Sequence, residues 1–253
     1  MKKWMDAIGQ TIFYIALYVV VGFISPSILG LAGIEINIIN QVIANSIIFS
    51  VIVIIINKDK LDKKGWFTRF SQKELLKTLE FAFASIILVN LFLVYLFPNF
   101  IDNNMPEIIK EQFEAIALSS PLLTLLAIGI FAPIAEEILF RGAIYNLFKD
   151  NVGKYVALII SSILFALIHL NIYQASYTLF IGLFLGIILM KTGSLWLPII
   201  FHIVYNLFGG IFQMFDQKLM ELLFLKTYII PVIGVILLID SLRFFLSKGG
   251  RRK

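Results

Sequence analysis

The stretch FAPIAEEILFRGAIYNLF, Phe131–Phe148, decides how this chain is read. Two adjacent carboxylates, Glu136 and Glu137, and the guanidinium of Arg141 interrupt an apolar run that begins near Pro121. On insertion scales each such group near a bilayer centre costs roughly 2.5–3.5 kcal/mol. Three of them within six residues are tolerated only where they are paired, face a wet cavity, or do chemistry.

The composition around that stretch sets the class. Of 253 residues, 60% are apolar and only 15% are charged, with a mean hydropathy of +0.94, far from a soluble domain. Several apolar runs reach the roughly 20 residues needed to cross a bilayer as a helix. The expected fold class is therefore an all-α polytopic membrane protein. The chain has no cysteine, which excludes disulfides, thiolate catalysis, Cys-ligated zinc and palmitoylation. The first apolar run, Gln10–Gly33, is too long for a signal-peptide core and lacks a clear cleavage site, so it reads as a retained span. The net charge of +5 does not point to nucleic acid, because the basic residues cluster at the ends of spans.

Read in order, the chain predicts about eight spans. The first three are near Thr11–Leu31, Ile38–Ile56 and Leu79–Phe97. The loop Asn57–Lys77 carries seven Lys and Arg against Asp59, Asp62 and Glu74, which makes it cytoplasmic by the positive-inside rule. Ser71-Gln-Lys-Glu74 has the form of a capping box and predicts a helix start. The acidic loop Asn99–Ser120 fits the outer face, with Pro106–Leu118 an amphipathic surface helix. Span four runs from Pro121 to about Phe148, and Pro133 predicts a kink one turn before Glu136. Spans five to eight follow near Tyr155–Leu170, Ala175–Met190, Leu195–Phe212 and Tyr228–Phe245. The basic tail Lys248–Lys253 places the C-terminus inside, and both termini are expected to be cytoplasmic. The expected organisation is residues 1–120 as N-terminal membrane helices, 121–213 as the core carrying the polar site, and 214–253 as the last span and tail.

The two histidines of the chain, His169 and His202, both fall in these apolar helices. Asn206 lies four residues after His202 and shares its helix face. Counted from the cytoplasmic ends, Glu136 and His169 sit at roughly 20–22 Å, and His202 and Asn206 at roughly 12 and 18 Å, by the helical rise. These depths are compatible with one site. Glu137 at i, i+4 is the natural partner of Arg141, which leaves Glu136, about 100° around the helix, free to act as a general base. A nearby imidazole can share a water with Glu136, while a second imidazole and an Asn amide can stabilise an oxyanion. The same residues can alternatively give two His and one carboxylate, Glu136, His169 and His202, to a catalytic zinc.

In order on successive helices, Glu136-Glu137-x-x-x-Arg141, Phe165-x-x-x-His169 and His202-x-x-x-Asn206 resemble the three motifs of the CPBP family. That is the CAAX-protease and bacteriocin-processing (Abi) family of intramembrane endopeptidases, and the resemblance covers about Pro121–Phe212. It implies that Glu136 and His169 activate water and that His202 and Asn206 serve the oxyanion. It also implies that Glu137 and Arg141 form a structural pair. Metal dependence stays open between a zinc and a metal-free glutamate mechanism. The implied substrate is a membrane-presented peptide or protein. Maturation of bacteriocins or signalling peptides, CAAX-type processing and self-immunity are all roles found among relatives. The Lys/Ile/Asn-rich composition fits a bacterial plasma membrane.

Structural readings stand beside these. Asn206 alone suits interhelical glue, and Gly182-x-x-x-Gly186 suits close helix packing. Phe165 reads as a packing residue on the face of His169. The basic loop and tail read as topology determinants that meet anionic lipids. A different class of function also fits intramembrane Glu and His: a proton-coupled transporter, or a non-catalytic immunity or scaffold protein. Against a transporter stands the lack of repeat symmetry between the halves.

Overall fold

A computed structural model describes residues 2–59, 65–96, 120–213 and 228–247. The expected amphipathic helix Pro106–Leu118, most of the acidic loop around it, the segment before the last span and the basic tail fall outside the described residues. Within them the chain is all-α. Its helices are α1 (Lys2–Leu31), α2 (Ile38–Ile56), α3 (Gln72–Leu96), α4 (Pro121–Val152), α5 (Lys154–Leu167), α6 (Ile172–Thr192), α7 (Trp196–Gln213) and α8 (Ile229–Ser247). Each corresponds to one expected span.

Six of these helices are long and apolar enough to cross a membrane. The other two are shorter, and α5 corrects the sequence reading. It has 14 residues, roughly 21 Å at the helical rise, and stops at Leu167 rather than continuing to Leu170. The cause lies in the next residues. Leu170 adopts a left-handed φ of 55°, and Asn171 caps α6 by accepting from the Gln174 amide at 2.7 Å. Asn171 Nδ2 also donates to the His169 carbonyl at 3.0 Å, so the turn is closed from within. His169 therefore sits just beyond a helix end.

The capping box before α3 forms as expected. Glu74 N–H donates to Ser71 Oγ at 3.2 Å, and the Ser71 N–H donates to Glu74 Oε2 at 2.7 Å. The preceding segment folds back onto the bundle. Leu195 N–H donates to Trp66 O at 2.7 Å, and Ser194 Oγ donates to Thr68 O at 2.7 Å. Trp66 is buried against Gly142, where a Cβ would fall 2.6 Å from the indole. The C-terminal part of α4 thus packs under the loop that the sequence reads as a topology signal.

Packing follows the apolar faces. α5 lies along α6, α3 lies against α7 and α8, and α1 pairs with α2. Phe81 of α3 centres one aromatic cluster, with ring contacts to Phe184, Phe201 and Phe245. The α5–α6 contact uses the two glycines at small-residue spacing. A Cβ at Gly182 would meet Ser162 Cα at 3.1 Å, and one at Gly186 would meet Leu158 Cδ1 at 2.3 Å. On the other side, Tyr14 of α1 and Asn57 at the end of α2 exchange hydrogen bonds at 2.9 and 3.1 Å.

The helix carrying the carboxylates is not a simple kinked rod. In α4, π-helical turns at Ala127–Phe131 and Ile138–Tyr145 bracket a short α-helical segment, Ala132–Glu137. Pro133 stands at the start of that segment. Glu136 and Glu137 end it, and such π turns are frequent at functional sites.

Candidate active site

The site is built where the α-helical centre of α4 meets α5, α6 and α7. Glu137 and Arg141 are fully buried and paired, Arg141 Nη1 donating to Glu137 Oε1 at 3.0 Å. Arg141 Nη2 donates to the carbonyl of Gly182 on α6 at 3.0 Å. Its guanidinium also lies 4.5 Å from the centroid of the Phe165 ring. A buried charge persists when its partner and its remaining donors are occupied. Here an anion, a backbone carbonyl and a π face share that role, while Arg141 Nε and Glu137 Oε2 have no partner among the described residues.

His202 on α7 reaches the same carboxylate. Its Nδ1 lies 3.0 Å from Glu137 Oε1, and because a carboxylate accepts, Nδ1 carries the proton in the neutral ring. Its Nε2 then faces Glu136 Oε2 at 3.7 Å. Sequence reasoning leaves Glu136 free of a cationic partner; the structure instead sets it opposite His202. Glu137 is inaccessible, whereas the Glu136 side chain keeps 21% exposure. Of the two carboxylates, Glu136 is the one that water and substrate can reach.

His169 is oriented differently. Its Nδ1 lies 2.8 Å from the carbonyl of Phe165, one turn earlier. A carbonyl only accepts, so Nδ1 donates and Nε2 presents a lone pair. Phe165 stands between the two histidines, edge-on to His169 at 5.2 Å and to His202 at 5.5 Å. It is more than the packing residue of the sequence reading. One ring touches both imidazoles and the guanidinium.

Asn206 lies one turn along α7 from His202, and its Nδ2 donates to the carbonyl of Ile128 at 3.0 Å. One of its two amide hydrogens is thus used by the backbone of α4, and the other is left for a ligand. Glu137, Arg141, His202 and Glu136 meet directly, His169 joins them through the Phe165 ring, and Asn206 reaches α4 at Ile128. Two contributors escape sequence reasoning. The Gly182 carbonyl could not be foreseen, because any residue type supplies one. Tyr18 of α1, within electrostatic range of Glu136, gave no signal at all.

A zinc held by Glu136, His169 and His202 needs three donors at roughly 2.0–2.2 Å from one point. Nδ1 of each ring is held by a carbonyl or a carboxylate, which leaves the two Nε2 atoms and Glu136 as the donors a metal would use. Among the described residues no three His, Cys, Asp or Glu side chains gather as a metal set. The arrangement does not fit a three-ligand ion as it stands, and no step below passes through one.

Fold and site together define a polytopic membrane protein with a carboxylate–imidazole centre inside its helical bundle. Residues 118–208 match the family model described as type II CAAX prenyl endopeptidase Rce1-like, so the resemblance drawn from the three motifs is shown over that segment. Among curated proteins, the chain is 29% identical over 117 residues to the membrane-embedded CAAX protease MroQ of Staphylococcus aureus, covering 44% of this chain and 47% of that protein. It is 29% identical over 94 residues to the putative membrane peptidase YdiL of Bacillus subtilis, covering 37% and 38%. It is also 32% identical over 119 residues to an uncharacterized 24.3 kDa protein of Escherichia coli, covering 45% and 48%. The chain thus spans less than half the length of each of these relatives. No solved structure matches it.

Proposed function

We propose that this protein is an intramembrane endopeptidase that hydrolyses a peptide bond of a membrane-presented peptide or protein. The observation that carries the reading is the placement of His202 between a buried, Arg-paired Glu137 and an accessible Glu136. A merely structural charge network has no need of a reachable carboxylate opposite an imidazole lone pair. The printed descriptions of MroQ and YdiL as membrane protease and peptidase support the same reading.

The chemistry follows from which atoms hold protons. A water between Glu136 and His169 Nε2 loses a proton to Glu136 as its oxygen attacks the carbonyl carbon. His202 takes a proton from solvent at Nε2 before attack, keeps it through turnover and donates it as a hydrogen bond to the developing oxyanion, and the second Asn206 N–H does the same. Glu137 supports that imidazolium by accepting from Nδ1–H, and Arg141 pairs with Glu137. When the tetrahedral intermediate collapses, the C–N bond breaks and the proton held by Glu136 passes to the leaving amine. Water is consumed, and one carboxyl and one amine result, with no covalent enzyme intermediate.

We place the protein in a bacterial plasma membrane with both termini cytoplasmic. Its substrates there would be leader, signalling or bacteriocin peptides at the bilayer.

The test compares peptide termini in cells expressing the wild type or Glu136→Gln at matched membrane levels. New termini with the wild type, missing with Glu136→Gln, are expected, and they identify the scissile bond. Identical profiles in both would favour a scaffold or immunity role. Cleavage that persists in excess chelator is the expected outcome for the metal question.

A further inference from the structure

We propose that Asn206 is a positioning residue: its side-chain amide gives Ile128 the hydrogen bond that Pro133 cannot, and so locks the π turn that aims Glu136 and Glu137. The backbone of α4 shows the need. In the turn Ala127–Phe131 the Ala132 N–H reaches back five residues to Ala127 O. In that register the next acceptor is Ile128 O and the next donor is residue 133. Proline has no N–H, so the π turn ends there and the Ile128 carbonyl is left without a backbone donor. In an apolar bundle an unmet carbonyl is costly. Asn206 Nδ2 meets it at 3.0 Å.

Two further features agree. Gly129, next to Ile128, lets α7 come close enough: a Cβ there would fall 2.3 Å from Leu207 Cδ2. The second π turn of α4 ends differently in its backbone, on a three-residue bond with no proline behind it, yet it also meets an asparagine side chain. The Asn146 N–H goes to Ala143 O, and the side-chain amide of Asn146 donates to the carbonyls of Arg141 and Gly142 at 3.1 and 2.9 Å. An asparagine amide thus closes each π turn flanking the two glutamates, one from within α4 and one from α7. Because Asn206 is one turn from His202, the clamp also sets the distance between α7 and the Glu136 helix. It leaves the second Asn206 N–H free, so the proposal holds whether or not that hydrogen serves a reaction.

The test is a double-mutant cycle read by segment-resolved hydrogen exchange on the purified full-length protein in detergent. Asn206→Ala is expected to speed exchange about tenfold in peptides covering residues 121–137, the effect of one unmade hydrogen bond to a carbonyl at membrane depth. Peptides of α5 and α8 should not change. In a Pro133→Ala background the restored N–H can serve Ile128, and the effect of Asn206→Ala should fall below about twofold. Asn206→Asp, which keeps the shape but only accepts, should match Asn206→Ala. Equal acceleration in both backgrounds, or acceleration spread over every helix, would overturn the proposal. If the Asn206 variants accumulate only with Pro133→Ala, the proposal is supported; if they fail in both backgrounds, it is wrong. Exchange does not depend on turnover, so this result stands apart from the fate of the peptidase reading.

Discussion

Replacing Arg141 by methionine removes a fully buried charge while keeping an apolar side chain of similar length. The structure states what is lost: the bond to Glu137 Oε1 at 3.0 Å, the bond to Gly182 O at 3.0 Å, and the guanidinium–Phe165 contact at 4.5 Å. Breaking one side of a buried pair costs roughly 3–5 kcal/mol, mainly from the charge left behind. Glu137 retains His202 as a partner, so the lower end, about 3 kcal/mol, is expected. Adding Glu137→Gln removes the stranded carboxylate. The double variant should therefore recover about 1–2 kcal/mol relative to Arg141→Met alone, the signature of a coupled pair. Reversible denaturant unfolding in mixed micelles, followed by tryptophan fluorescence, measures both. A loss below about 1 kcal/mol for Arg141→Met, or additive effects of the two substitutions, would refute the reasoning that this pair is a buried structural anchor.

Other outcomes follow from the same contacts. Phe165→Leu keeps bulk but removes the ring that both imidazoles abut, so turnover should fall about tenfold or more while accumulation in the membrane changes little; quantified cleavage at matched protein levels checks it. Gly182→Val drives a side chain into the Ser162 backbone, and should cost roughly 1–3 kcal/mol by overpacking, read in the same unfolding assay. Ser71→Ala removes the cap of α3 and should cost about 1 kcal/mol, with faster hydrogen exchange confined to the first turn of that helix.

Much of this arrangement is legible in the sequence, for reasons specific to each part. Apolar run lengths and loop charges give the number of helices, because bilayer thickness sets the one and topology the other. Four-residue spacings place Glu137 under Arg141 and His202 under Asn206, and the structure shows both. What stays hidden belongs to backbone detail. Pro133 predicts a kink, but not that the chain relieves it with a π turn and a borrowed amide from Asn206. The end of α5 before His169 depends on Leu170 turning left-handed, a state no side-chain pattern announces. The Gly182 carbonyl that holds Arg141 and the return of Trp66 onto Gly142 are tertiary contacts between distant segments, invisible to a local reading.

The proposed role of Glu136 in hydrolysing a membrane-presented peptide can be measured by co-reconstituting purified protein with membrane proteins from cells lacking its gene, in water enriched in ¹⁸O. New C-termini carrying one ¹⁸O are expected with the wild type, formed equally in excess chelator, and none with Glu136→Gln. Equal cleavage by Glu136→Gln, or a wild type that yields no labelled terminus, would contradict it.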